Sequence, residues 1–133
     1  MAGKTMKKHF IPPTGLMLLI FILSSIPMDG GPDKMAFLTG LDPTLQNLLH
    51  IPLYGSLAFL WLYAFVSSGV SLRKAIVFSI LITMGYGCMD EFYQSFVPGR
   101  YGGILDIILN SLGAGAGLFI GTLWYRRFRG YHL

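Results

Sequence analysis

The stretch AIVFSILITMGYGCMDEFYQSFVP, residues 75–98, decides how this chain folds. Its first 15 residues, 75–89, are uncharged and run straight into Asp90 and Glu91. As a helix they cover about 22 Å, against about 30 Å for the hydrocarbon core of a bilayer. The run crosses a membrane only if the helix continues through Asp90, Glu91 and Gln94 toward Pro98, where a proline must end it. Two carboxylates then lie within the membrane profile or at its very edge.

The remainder of the chain calls for a membrane as well. Of its 133 residues, 53% are apolar and only 12% charged, with a mean hydropathy of +0.60 and a formal net charge of +4. A soluble domain carries roughly 25% charged residues, and one of this length cannot bury such long apolar runs. An aromatic content of 14% excludes disorder, and the single cysteine, Cys88, excludes a disulfide framework or a Cys-based metal finger. Three further uncharged runs cover 10–28, 43–72 and 107–125. The expected fold is all-α: one membrane domain, 1–133, built as a bundle of four transmembrane helices at about 11–28, 45–66, 74–96 and 105–125. Pro12 and Pro13 suit a first helical turn, and Pro27 closes that helix. Asp29 to Asp33 is turn chemistry, and Pro98-Gly99 with Gly102-Gly103 brackets the last connection.

Four spans place Lys4, Lys7, Lys8, Arg73, Lys74, Arg126, Arg127 and Arg129 on one side, and only Lys34 and Arg100 on the other. The positive-inside rule makes both termini cytoplasmic. All six acidic residues (Asp29, Asp33, Asp42, Asp90, Glu91, Asp106) then lie toward the outer face. The basic surplus serves insertion and anionic lipid rather than nucleic acid. A competing reading takes 1–28 as a cleaved signal peptide, but Ser24-Ser25-Ile26-Pro27-Met28 has no clear small-x-small cleavage site.

Polar residues recur at i, i+4 spacing, which stacks them on one helix face. They are His50 and Tyr54 on the second span, Asp90 and Gln94 on the third, and Asp106 and Asn110 on the fourth. Gln46-Asn47 lies a turn before His50, and Glu91 is rotated about 100° from Asp90. The topology puts all three pairs at the outer ends, so they can meet. An intramembrane ionisable group costs several kcal/mol unless paired, which makes each a functional candidate. Plainer roles stand beside these. His50 and Tyr54 suit a headgroup-level pair, Asp90 and Glu91 a helix end in water, and Asp106 the N-cap of the fourth span. Asn110 suits an interhelical hydrogen bond, and Arg100 either a loop charge or the counter-ion of the carboxylates. Gly113, Gly117 and Gly121 form a doubled GxxxG stripe for close helix packing. Trp61, Trp124 and Tyr125 read as belt aromatics, and Cys88 as a packing residue.

The string Asp90-Glu91-Phe92-Tyr93-Gln94-Ser95-Phe96-Val97-Pro98-Gly99-Arg100, followed by Asp106, Asn110, Gly113 and Gly117, resembles the signature of VanZ-like membrane proteins. That pattern is D-E-x-x-Q-x-F-x-P-x-R, then D-x-x-x-N-x-x-G-x-x-x-G, and every position matches at its spacing. A second family element, Asp-Lys-x-x-His-x-x-x-Tyr, is matched at His50 and Tyr54, with Gln46 and Asn47 in place of Asp-Lys. The resemblance covers about 43–121. It implies a small four-helix, multi-pass protein of the bacterial cytoplasmic membrane, in a family whose name-giving member is linked to teicoplanin resistance. It also implies that Asp90, Glu91, Gln94, Arg100, Asp106 and Asn110 belong to one site, and it implies no activity.

Three functions compete. A binding, structural or accessory role, with membrane lipids and other membrane subunits as partners, fits the small size and the glycine stripe. An enzyme acting on an envelope lipid or peptidoglycan precursor would use Asp90, Glu91 and His50 as acid, base or both, with Arg100 as an anion clamp. Ser95 and Ser111, however, lack a recognisable base and orienter. Transport ranks last, because acidic residues occur only on the outer side. No cofactor is expected, and no ligand-spacing motif calls for a metal.

Overall fold

The computed structural model describes residues 8–29 and 43–129. Lys4, Lys7, Asp33, Lys34 and Asp42, which enter the charge argument, lie outside the described residues. The helices are α1 (Ile11–Ser24), α2 (Pro43–Leu48), α3 (His50–Ser67), α4 (Leu72–Gln94) and α5 (Ile104–Arg129). Leu49 joins α2 to α3, and the two act as one apolar helix, Thr44–Ser67, of 24 residues. With α4 and α5 this makes three helices long and apolar enough to cross a membrane, accompanied by the shorter apolar α1. Among the described residues the fold is all-α, with four helical units.

Boundaries follow local chemistry, and two differ from expectation. The first helix stops at Ser24 rather than near 28, leaving 14 residues, about 21 Å of helix. Pro27 disfavours helical geometry at Ile26, and the carbonyls of Leu23 and Ile26 are taken up by Arg100 from the far end of the sequence. In contrast, α4 runs unbroken through Asp90 and Glu91 to Gln94, as a membrane-spanning length requires. The second difference is Asp106. Helix α5 begins at Ile104, so Asp106 sits in its first turn rather than at the N-cap, with its side chain turned inward and 8% exposed. Glycines 102 and 103 have already made the turn.

Polarity is distributed inside out relative to a soluble protein. Leu18, Leu81, Phe92, Phe119 and Ile120 face outward, while Ser24, Asp90, Glu91, Gln94, Asp106 and Asn110 are buried. Lipid solvates the first set, and helix packing must satisfy the second. Cys88 is exposed, two positions from Asp90 and so on the opposite face of α4; it is not a packing residue. Trp61 is half-buried, its ring against Phe10 and Phe65.

Helix α3 is central and lies closest to α5. The glycine stripe makes that approach possible within one chain. A Cβ on Gly113 would run into the Ile51 carbonyl, and one on Gly117 into the Gly55 carbonyl. Below this crossing Ala58, Leu62, Val66, Ala75, Ala114 and Leu118 form an apolar core. Gly117→Ala is therefore expected to destabilise by about 1–2 kcal/mol, overpacking outweighing the helix propensity gained. Its thermal midpoint in detergent checks this against Gly115→Ala, where nothing lies within 4 Å and no loss is expected.

Candidate functional site at one end of the bundle

Chain reversals bring the C-terminal ends of α1 and α4 beside the N-terminal ends of α3 and α5. Each of these ends contributes polar side chains, and they meet. Asp90 is the hub: its Oδ2 accepts from Ser24 Oγ on α1 at 2.9 Å, Gln94 Nε2 on α4 at 2.9 Å, and Tyr54 OH on α3 at 3.2 Å. Gln94 Nε2 also donates to Ser24 Oγ at 3.1 Å. The i, i+4 spacing of Asp90 and Gln94 places both on the face toward α1 and α3.

Glu91, about 100° around α4, turns toward α5 instead. Its Oε2 accepts the Gly103 backbone N–H at 3.4 Å, at the start of α5, where an anion is favoured by the helix dipole. Its Oε1 lies 3.7 Å from His50 Nδ1. The same Nδ1 is 2.9 Å from Asn110 Oδ1. Both facing atoms are acceptors, so Nδ1 carries the hydrogen. The His50 ring stacks on Tyr54 at 6.1 Å with planes 5° apart, joining the Glu91 side of the cluster to the Asp90 side.

Arg100 resolves differently from either sequence expectation. It forms no ion pair within 4.0 Å among the described residues. Its Nε donates to the Ile26 carbonyl at 2.9 Å, its Nη2 to the Leu23 carbonyl at 2.6 Å, and its Nη1 to Gln94 Oε1 at 3.4 Å. Arg100 thus caps the C-terminus of α1, where unsatisfied carbonyls attract a cation. Burial pushes its guanidinium below the usual value, and the nearby Asp90 and Glu91 charges oppose that shift. The Met28 N–H donates to the Pro98 carbonyl at 2.9 Å and closes the same junction. Gly99 fits there with φ of 73°, because a Cβ would strike the backbone of Met28 and Asp29.

Satisfaction is incomplete. Asp90 Oδ1, Glu91 Oε1, Asp106 Oδ1 and Asn110 Nδ2 are buried without a hydrogen-bond partner. Orphaned groups of this kind cost about 1–3 kcal/mol each, more when charged. Beside them lies a cavity of about 530 Å³, within the range of small-molecule sites. Its wall combines polar side chains, among them Asp90, Arg100 and Asp106, with the apolar Ile20, Leu49 and Leu53. Among the described residues, no group of three His, Cys, Asp or Glu side chains is arranged to hold a metal ion.

His50, Tyr54, Asp90, Glu91, Gln94, Arg100, Asp106 and Asn110 therefore gather at one end. Gly113, Gly117 and Gly121 lie along α5 against α3 and stand apart from the polar cluster. Gln46 and Asn47 line the cavity. Sequence reading missed Ser24, whose signal was a lone polar pair, Ser24-Ser25, ending an apolar run. It also missed Tyr86, whose hydroxyl donates to the Met17 carbonyl at 2.6 Å and ties α4 to α1.

A family model described as VanZ/LLP1 matches residues 9–125 of the chain. No curated protein and no solved structure shows significant similarity to it.

Proposed function

This chain belongs to the VanZ/LLP1 family, and from that premise we propose that it is a binding or accessory unit holding the polar head of a membrane amphiphile. The supporting observation is the cavity of about 530 Å³, whose wall combines buried carboxylates bearing unpartnered oxygens with apolar side chains. A polar head needs the first and a hydrocarbon chain the second. Leu49, 41% exposed, carries the apolar wall toward the lipid-facing surface.

The site faces the outer side of a bacterial cytoplasmic membrane in this reading. Arg73 and Lys74 at the start of α4, and Arg126 and Arg127 at the end of α5, lie at the opposite end of the bundle, which the positive-inside rule assigns to the cytoplasm. Catalysis on an envelope lipid is the second reading, favoured by the approach of Glu91 Oε1 to His50 Nδ1 at 3.7 Å. A binding role accounts for more of the cluster, because the Asp90 hydrogen bonds lock three helices and prepare no nucleophile.

Native mass spectrometry of protein released from mild detergent tests the proposal. Wild type is expected to retain one amphiphile, and Leu49→Trp, which fills the cavity wall, is expected to lose it with helicity unchanged. Bare protein in both cases sinks the binding reading. A bound species whose mass changes with time, and stops changing in Glu91→Gln, replaces it with the enzymatic one.

A further inference from the structure

We propose that the head group taken by this site is a primary ammonium, a positively charged hydrogen-bond donor, rather than a phosphate or another anion. The inference rests on the amphiphile-binding reading above and names the chemistry of its ligand.

Two features of the cavity wall compete for a head group, the Arg100 guanidinium and the carboxylates. Arginine has five N–H donors. In Arg100 each of the three nitrogens already donates, Nε to Ile26, Nη2 to Leu23 and Nη1 to Gln94. That engages three of the five N–H groups, and the Nε–Nη2 side is turned onto the carbonyls at the end of α1. The carboxylates are in the opposite condition. Asp90 is 4% exposed and Asp106 8% exposed, both line the cavity, and the Oδ1 atom of each is buried without a partner. Asp90 Oδ2 is already engaged by Ser24, Gln94 and Tyr54, which leaves Oδ1 as the oxygen of Asp90 without a partner.

Charge points the same way. Asp90 and Asp106 put two carboxylates on the cavity wall, against the one guanidinium, Arg100, that the described residues bring there. A phosphate entering here meets Asp90 and Asp106 at short range in a medium that screens poorly. An ammonium brings three donors and no acceptor, which matches the two carboxylate oxygens left without partners. A quaternary ammonium has the charge without the N–H groups, and so leaves the Oδ1 atoms unpartnered.

The protein in mild detergent, doped with equal amounts of phosphatidylethanolamine, phosphatidylcholine and phosphatidylglycerol, reads the preference directly by native mass spectrometry. Retention of phosphatidylethanolamine should exceed each of the others by about tenfold, the worth of one charge-assisted hydrogen bond. In Asp106→Asn the preference should fall toward unity. If that variant loses the wild-type fold, the ranking of the three lipids on wild type decides alone. Competition by dodecylamine identifies a free amine as sufficient, whereas competition only by the ethanolamine lipid identifies the phospholipid; either outcome supports the ammonium. Equal or stronger retention of phosphatidylglycerol overturns the inference and leaves amphiphile binding standing. Wild type that retains no lipid of any kind means that the binding reading itself has failed.

Discussion

Asp90→Ala is expected to lose about 3–5 kcal/mol of stability, the largest effect of any single side chain here. Three donors on three helices converge on one oxygen of Asp90: Ser24 Oγ, Tyr54 OH and Gln94 Nε2. Alanine leaves all three without that acceptor in a site 4% exposed at Asp90. Each abandoned buried group costs about 1–3 kcal/mol, and relaxation of Gln94 onto Ser24 recovers part of the loss. Asp90→Asn keeps an acceptor oxygen and should lose about half as much. Tyr54→Phe removes the longest of the three bonds and should cost about 1 kcal/mol. Chemical unfolding in detergent, followed by tryptophan fluorescence, orders the three variants. Equal stability of Asp90→Ala and wild type would show that the convergence contributes nothing to the fold.

Arg100→Met should cost about 3 kcal/mol and should act at a distance in sequence. The guanidinium satisfies the Leu23 and Ile26 carbonyls, at 2.6 and 2.9 Å, and each such bond to a charged donor contributes about 1.5–3 kcal/mol before screening. Methionine preserves the stem and removes every donor. The end of α1 then loses its cap, together with its tie to Gln94. Hydrogen exchange should rise at least about tenfold over residues 22–28 and change little in α5, because local opening follows the bonds that are lost. Arg100→Lys should fall between the two, since an ammonium reaches one carbonyl where the fork reaches two. A uniform rise over all helices would mean that Arg100 acts as a general counter-ion and not as a cap.

The same pair of residues separates what was legible beforehand from what was not. Length alone required the helix to pass through Asp90, within the membrane profile or at its edge, and α4 does pass through it. Its i, i+4 relation to Gln94 followed from helix geometry. Arg100 was recognised as a member of the cluster, but its partners were sought among carboxylates. They are main-chain carbonyls 74 and 77 residues away, and a carbonyl looks the same at every position in a sequence. Asp106 was misplaced by one step of the same kind. An acid after a loop suits an N-cap, yet Gly102-Gly103 had already turned the chain, so Asp106 entered the first turn of α5. The glycine stripe is visible in the sequence as a surface of small residues. Which helix it packs against is a fact of three dimensions.

Sequence alone determined the membrane class, the number of apolar helices and the faces on which polar residues stack. Those follow from hydropathy and from helical periods, which are local properties. The tertiary structure decided that α5 spends its glycines on α3, that Ser24 joins the Asp90 hub, and that Arg100 caps α1. It also decided which carboxylate oxygens were left without a partner beside a cavity. Each of these depends on atoms far apart along the chain, brought together only when the helices pack.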